Sequence, residues 1–309
     1  MIGERKKLRI TGIIQETRQS KSFVLETLDG SEITYKPGQF LTFIFDTPFG
    51  EERRNYSFSS SPDWQEPVRI TIKRIENGYF SRKLVDAAQV GDVLTTIGAS
   101  GFFTLPDNIG QYQQLFLLAA GSGITPVFSI LKTVLRRFPG VRVILIFSNH
   151  SKEDTIFYKP LQQLQQQYPE QLQIEWLFSN VFDYTKSRLS NWLLGELLKK
   201  YIAAPLAACL FYLCGPFDYM RMITIALLSA GINSTSIRKE EFVITQPRVV
   251  LAPPDTKKRQ VTVVLNKNQY RFSSMYPQTI LQAAKKVGIE LPFSCETGRC
   301  GTCAAVCMA

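Results

Sequence analysis

Residues 7 to about 105 alternate apolar and polar side chains in short runs: LRITGII, SFVLET, FLTFIF, VRITIKRI and VLTTI. Turn formers LDGS, KPGQ and TPFG separate these runs, and period-two alternation punctuated in this way predicts an antiparallel sheet or small barrel. After Pro106 the rhythm changes. LFLLAA (115–120) is apolar without a break, as a strand covered on both faces must be, and Val127, Ile130, Leu131, Val134, Leu135 and Phe138 follow at helical spacing. VRVILIFS (141–148), LQIEWLFS (172–179) and ACLFYLCG (208–215) predict three more strands, with helices near 160–168, 190–201 and 217–230. Strands and helices in alternation imply a parallel sheet with helices on both sides.

From TQPRVVLAPPDTKKRQ (245–260) the chain turns to proline and charge, the composition of a linker. Beyond it QVTVVLNKNQYRF predicts a hairpin turning near Asn266 to Asn268, and QTILQAAKKVGI a short helix with Ile280, Leu281, Ala284 and Val287 on one side.

Composition narrows the classes. A chain of 309 residues has room for two or three cores, and 45% hydrophobic with 12% aromatic residues excludes a disordered protein. The longest apolar stretch, residues 202–215, is too short for a membrane span and contains Pro205. MIGERKKLRI lacks the apolar core of a secretory signal, so the expected setting is cytoplasmic. The formal charge of +10 is scattered apart from Arg5–Lys7 and Lys257–Arg259 and no nucleic-acid motif accompanies it, so it is read as solvated surface and not as a nucleic-acid face.

Candidate chemistry lies in four places. In AAGSGITP (119–126), between a strand and a helix, Gly121 and Gly123 permit a tight turn, and the helix start near Thr125 offers open N–H groups and a positive dipole end to a phosphate. The third glycine of the dinucleotide fingerprint is replaced by Pro126, which a first helical turn tolerates. RRNYSFSSSP (53–62) puts Arg54 and Tyr56 on one side of a strand, a guanidinium for phosphate beside a ring for a flat heterocycle. NGYFSRKL (77–84) adds a glycine turn and Ser81 at a second helix start. Finally, four of six cysteines fall in the last fifteen residues, and Cys295, Cys300 and Cys303 have the C-x4-C-x2-C spacing of plant-type [2Fe-2S] ligands. Structural zinc sites show two short pairs instead, and one histidine, His150, cannot build a Rieske centre.

Taken in order, Arg54-x-Tyr56-Ser57, Gly78-x-x-Ser81, Gly121 to Pro126 and Cys214-Gly215-Pro216 resemble the ferredoxin-NADP reductase family, and the cysteine loop resembles a fused plant-type ferredoxin. The domain order is similar to that of the reductase components of bacterial oxygenases. The resemblance implies an antiparallel FAD-binding β-barrel over 1–107, an NAD(P)-binding α/β domain over 108–247, a linker over 248–258 and a partial β-grasp [2Fe-2S] ferredoxin domain over 259–309. It implies that Arg54 binds the flavin phosphate, Tyr56 stacks on the isoalloxazine and Ser57 offers its hydroxyl near N5. Lys73, Gly78 and Ser81 would line the rest of the flavin. Gly121, Gly123, Thr125 and Pro126 would hold the nicotinamide dinucleotide, with Cys214, Gly215 and Pro216 shaping the crevice where it meets the flavin. Glu240 or Glu241 would supply an acidic group and Phe242 an aromatic neighbour.

FAD is expected over FMN because RNYSFSSS and GYFSRKL resemble FAD-binding relatives. NADPH and NADH stay open: relatives that select NADP carry Ser-Arg where this chain has Ser179-Asn180, and Arg188, Lys159 or His150 could stand in. In the resembling ferredoxins the fourth ligand arrives well beyond the third. Cys307 is therefore expected to be a packed strand residue, the fourth ligand to lie outside this chain, and the C-terminus to be incomplete. The implied activity is an electron-transfer reductase passing electrons from NAD(P)H through FAD to [2Fe-2S] and on to an oxygenase or other protein acceptor. The alternatives are a ferredoxin or flavodoxin reductase and a non-catalytic flavin redox module.

Overall fold

The computed structural model describes residues 5–48, 50–181, 187–242, 255–293 and 302–308. Six antiparallel strands come first: β1 (Lys6–Thr17), β2 (Ser20–Thr27), β3 (Phe40–Thr47), β4 (Gly50–Ser57), β5 (Arg69–Lys73) and β6 (Val93–Ser100). They lie in the order β4-β3-β6-β1-β2-β5, and a bridge from Phe58, just past β4, to Ile70 of β5 brings the two edges together as a barrel. Alternate residues fill it: Leu8 and Ile10, Phe23 and Leu25, Leu41 and Phe43, Ile70 and Ile72 are buried around Phe58. Between β5 and β6 runs a short helix, α1 (Tyr79–Arg82), whose final turn widens through Ala87.

The second unit alternates as expected: β7 (Gln114–Ala120), α2 (Ile124–Arg137), β8 (Arg142–Asn149), α3 (Tyr158–Gln167), β9 (Leu172–Phe178), α4 (Asn191–Tyr201), β10 (Cys209–Cys214), α5 (Phe217–Ser229) and β11 (Ile237–Glu240). All pairings are parallel, in the order β11-β10-β7-β8-β9. Both faces are dry. Leu115, Leu117 and Ala119 of β7 pack with α2 and α3, while Phe116 and Leu118 pack on the opposite side with α4 and α5. The sequence carries no apolar signal for β11, Ile-Arg-Lys-Glu, because an edge strand with one neighbour tolerates polar side chains. The order reverses between β7 and β10, where a doubly wound sheet opens a crevice at its carboxyl end.

Polar contacts join barrel and sheet through α2. Ser61 Oγ meets Thr133 Oγ1 at 2.7 Å, Trp64 Nε1 donates to the Lys132 carbonyl at 2.7 Å, and Ser129 Oγ donates to the Ser60 carbonyl at 2.6 Å. Beneath them the Lys132 ammonium pairs with Glu66, which also takes Arg69 at 2.7 Å.

The third unit is small. β12 (Arg259–Leu265) and β13 (Asn268–Ser274) form a hairpin whose two turn residues, Asn266 and Lys267, both have positive φ (51° and 67°), the two-residue turn that matches strand twist. A capping box of Thr279 and Gln282 starts α6 (Ile280–Lys286). The expected helix face is corrected here. Ile280 and Val287 are exposed, and Ala283 and Ala284 face Phe272, because small side chains let the helix approach a two-stranded sheet. Cys307 is also corrected: it is exposed and lies in no strand, the described sheet having only β12 and β13 to offer. Of the linker read at 248–258, Asp255 to Lys258 are described and are exposed; 248–254 lie outside the described residues. Among the described residues no helix is long and apolar enough to cross a membrane.

Candidate functional site

A cleft of about 1800 Å³ separates barrel from sheet at the reversal point. Arg54, Tyr56, Ser57, Lys73, Gly78 and Ser81 line its barrel side, and Ser122, Thr125, Phe217, Glu240, Glu241 and Phe242 its sheet side. Residues distant in sequence thus share one wall-to-wall space, large enough for a dinucleotide.

On the barrel side, β4 pairs with β3 so that Phe43 lies opposite Arg54 and Leu41 opposite Tyr56. The Tyr56 ring is 6.0 Å from that of Phe43, and its burial holds the phenol above the usual range against a smaller opposing pull from Arg54. The Arg54 guanidinium stands 4.8 Å above Phe80, donates to the Arg53 carbonyl at 2.8 Å and pairs with Glu52. Both members of that ion pair are partly exposed, so it is worth about 0–1 kcal/mol and a phosphate can replace it.

Ser81 is more constrained than the sequence suggests. Its hydroxyl donates to the Gly78 carbonyl at 3.0 Å and accepts from the Ile75 N–H at 3.2 Å, bracing the loop that opens α1. The serine run behaves similarly. Ser59, Ser60 and Ser61 are fully buried and bond Thr71, Tyr35 and Thr133, so of the four serines in RNYSFSSS only Ser57 lines the cleft.

The sheet side is built by close approach. Gly121 has φ +53°, a conformation that favours glycine, and the Lys73 ammonium reaches across from β5 to within 3.7 Å of where its Cβ would stand. At Gly123 φ is ordinary, but a Cβ would meet the Cys214 carbonyl oxygen at 2.1 Å. The turn therefore rests on the end of β10. Gly123 precedes α2 with no side-chain cap, the Ile124 N–H bonds back to the Gly121 and Ser122 carbonyls, and Thr125 Oγ1 donates to the Ser122 carbonyl at 2.9 Å. Pro126 sits in the first turn, where its missing N–H costs nothing.

Gly121, Gly123, Pro126, Cys214, Gly215 and Pro216 are not among the residues that line the cleft. Cys214, fully buried, lies between Ala119 of β7 and Glu240 of β11 in the strand register. Burial, reinforced by Glu240, pushes its thiol well above the usual range, so it stays neutral. Gly215 is tight because a Cβ there would stand 3.0 Å from both Ala120 and Tyr219. The sequence reading missed Ser122 and Phe217, although Ser122 sits inside the G-S-G turn and Phe217 directly follows Cys-Gly-Pro.

Just past the carboxyl ends of β8 and β9, His150 Nδ1 lies 3.2 Å from Ser179 Oγ and the Asn180 N–H donates to the His150 carbonyl at 3.0 Å, while His150, Lys159 and Arg188 are exposed. Cys295 and Cys300 lie outside the described residues; Cys303 is exposed.

Thiol chemistry separates these cysteines. In cluster-free folded protein, iodoacetamide should modify Cys303 and Cys307 readily and leave Cys209 and Cys214 unmodified until denaturant is added, as peptide mass mapping would read. Labelling of Cys214 at the rate of Cys307 would contradict its burial.

A barrel and a doubly wound sheet sharing a dinucleotide-sized cleft, followed by a cysteine-bearing third unit, define a flavin- and nicotinamide-dependent oxidoreductase. Family models of the oxidoreductase FAD-binding domain match residues 7–105, of the oxidoreductase NAD-binding domain 117–224, and of the 2Fe-2S iron-sulfur cluster binding domain 263–309. The chain is 31% identical over 309 residues to the ferredoxin reductase component of 3-ketosteroid-9-alpha-monooxygenase from Rhodococcus rhodochrous, covering 96% of this chain and 84% of that protein. It is 29% identical over 311 residues to one of the polypeptides of the 1,2-phenylacetyl-CoA epoxidase of Escherichia coli, covering 96% of this chain and 85% of that one. Phthalate dioxygenase reductase shares the fold, with a TM-score of 0.64 and 24% identity over 96% of this chain and 84% of that one. The chain belongs to this family of oxygenase ferredoxin reductase components, with FAD-binding, NAD-binding and [2Fe-2S] domains in one polypeptide. It is an NAD(P)H-dependent oxidoreductase that passes electrons through FAD to a [2Fe-2S] cluster and on to an oxygenase or other acceptor.

Proposed function

We propose that the cleft between Tyr56 and the Gly121–Gly123 turn is where hydride transfer takes place, that the acceptor is the oxygenase component of a multicomponent enzyme, and that the protein works in the cytoplasm. The observation that carries the site assignment is the single space lined by Tyr56, Ser57, Ser122, Thr125 and Glu240. FAD, when bound, supplies the conversion of a two-electron hydride into single electrons. The chain's own residues bind and orient. Arg54 and the start of α1 hold the flavin's phosphates, Tyr56 covers a ring face, and Ser57 offers a hydroxyl to the reacting edge. The Gly121–Gly123 turn and the start of α2 hold the nucleotide's pyrophosphate, with the Lys73 ammonium beside that turn. Cys214 and Gly123 fix the depth to which the nicotinamide enters, and Glu240 lies next to them in the register. Phe242, which lines the cleft and is exposed, is the aromatic neighbour. Domain limits are placed at 1–107, 108–247 and 259–309 around the linker, a division supported by three separate strand sets. Cys295, Cys300 and Cys303 are the thiolates assigned to the cluster, and a reducing compartment suits them.

The test is Arg54→Ala. Loss of a charge-assisted bond to phosphate should weaken FAD by about 2 kcal/mol, roughly thirtyfold in Kd, in a fluorescence titration of apoprotein. Flavin affinity within twofold of the unsubstituted protein would remove Arg54 from the site. Anaerobic mixing with NADH and NADPH in parallel reads flavin bleaching, and bleaching by neither would sink the hydride reading.

A further inference from the structure

The cysteine loop is bounded on both sides by residues that touch the barrel. On its N-terminal side, Phe293 offers its carbonyl to Arg53 Nη1 at 2.7 Å, and the Arg53 guanidinium lies flat over the Phe293 ring, 3.7 Å from its centroid. On its C-terminal side, Thr302 Oγ1, between Cys300 and Cys303, meets Ser100 Oγ at 3.1 Å. Arg53 belongs to β4 and Ser100 ends β6, the two strands that flank β3, so Phe293 and Thr302 meet two strands of one sheet.

Arg53 is saturated. Nε and Nη2 reach Glu51 at 2.9 and 2.8 Å, Nη1 takes the Phe293 carbonyl, and Arg5 closes on the same Glu51 at 2.7 Å. Its side chain is only 15% exposed, unlike Arg54 beside it at 46%. The Lys285 ammonium lies 3.4 Å from the same Phe293 ring, so one aromatic engages two cations. Phe293 also borders the cleft that Tyr56 lines. Without such contacts a domain on a linker moves freely with respect to its neighbour.

We propose that Arg53 is a positioning residue that clamps the third unit, through Phe293, against the barrel at the flavin cleft, setting the flavin-to-cluster step while leaving hydride transfer alone. The proposal rests on the electron path from FAD to [2Fe-2S]. Reduced flavin would give up its two electrons one at a time, each to an oxidised cluster, and only after the second transfer, with its proton released to solvent, would it be oxidised again; no bond to Arg53 forms or breaks. Neighbouring arginines thus divide the work, Arg54 for cofactor and Arg53 for domain.

The experiment uses the full chain carrying Arg53→Ala, Arg53→Lys or Phe293→Leu. Hydrogen–deuterium exchange of the peptides spanning 285–293 and 302–308, read without any cofactor, should rise about tenfold in Arg53→Ala and Phe293→Leu, and Arg53→Lys should recover part of the protection. In flavin- and cluster-loaded protein mixed anaerobically with NADH or NADPH, flavin bleaching should change less than about twofold, while cluster reduction slows about tenfold or more in Arg53→Ala. Unchanged exchange would overturn the proposal, as would unchanged cluster reduction, or flavin bleaching that falls as far as cluster reduction does. Failure of the electron path itself reads differently, as absence of cluster reduction in the unsubstituted protein while the exchange difference remains.

Discussion

Gly123→Ala should abolish productive nicotinamide binding while leaving the flavin in place. The new Cβ would stand 2.1 Å from the Cys214 carbonyl oxygen, 2.4 Å from its carbonyl carbon and 2.9 Å from the Gly215 nitrogen. None of these is the free end of a side chain. They are the backbone at the end of β10, held on one side by β7 and on the other by β11, so the turn must back away instead. A displacement of about 1 Å at the nucleotide's pyrophosphate seat costs roughly a hundredfold in hydride transfer. Single-turnover flavin bleaching against nucleotide concentration should show that loss with FAD content unchanged. Gly121→Ala is the comparison. Its cost comes from φ +53°, about 1–2 kcal/mol of backbone strain, with only the Lys73 ammonium near the added methyl. If both variants reduce flavin at the unsubstituted rate, the turn does not seat the nucleotide.

Glu66→Gln should be the most destabilising conservative substitution at the junction of barrel and sheet. It keeps the shape but leaves the Lys132 ammonium, only 4% exposed, facing Arg69 with no anion between them. Breaking a buried pair in this way costs about 3–5 kcal/mol. The effect depends on pH, with a definite sign. Burial holds Lys132 down at about 8, against a partial upward pull from Glu66, whereas in the unfolded chain a lysine titrates near its ordinary value of 10.5. Between about pH 8 and 10.5 the unfolded state holds a proton that the folded state has released, so this group's contribution to stability rises with pH over that window. Removing the Glu66 charge takes away the pull that keeps Lys132 protonated. The folded pKa then falls further, and the deficit of Glu66→Gln should shrink as pH rises through the lysine's new pKa. Urea unfolding at pH 7 and pH 9 measures both effects; a deficit below about 1 kcal/mol at pH 7 would place this pair outside the forces that fix the domains.

These two positions differ in how far the sequence exposes them. Gly123 is legible because G-S-G between an apolar strand and a helix has few other uses, and local backbone geometry is written in local residues. Glu66 is not. It sits in a polar loop segment, and its partner Lys132 lies on a helix 66 residues away whose orientation no local pattern encodes. Cys214 falls between: its motif marks it, but only the packing of β7, β10 and β11 buries it and keeps it out of the cleft lining. Ser59 to Ser61 show the reverse error, since a hydroxyl run beside a predicted cofactor strand looks like ligand chemistry until α2 is found against it.

By itself the sequence determined what period and turn chemistry control: a β-barrel, then alternating strands and helices, then a hairpin turning near Asn266 to Asn268, and the glycines and cysteines that cofactors require. Tertiary structure alone decided what depends on bringing distant segments together. The β11 edge, the buried Glu66–Lys132 junction and the Arg53–Phe293 clamp, 240 residues apart, belong to it. The division has a physical cause: backbone conformation responds to neighbours a few residues away, whereas a cleft and its contacts exist only after separate cores have packed against each other.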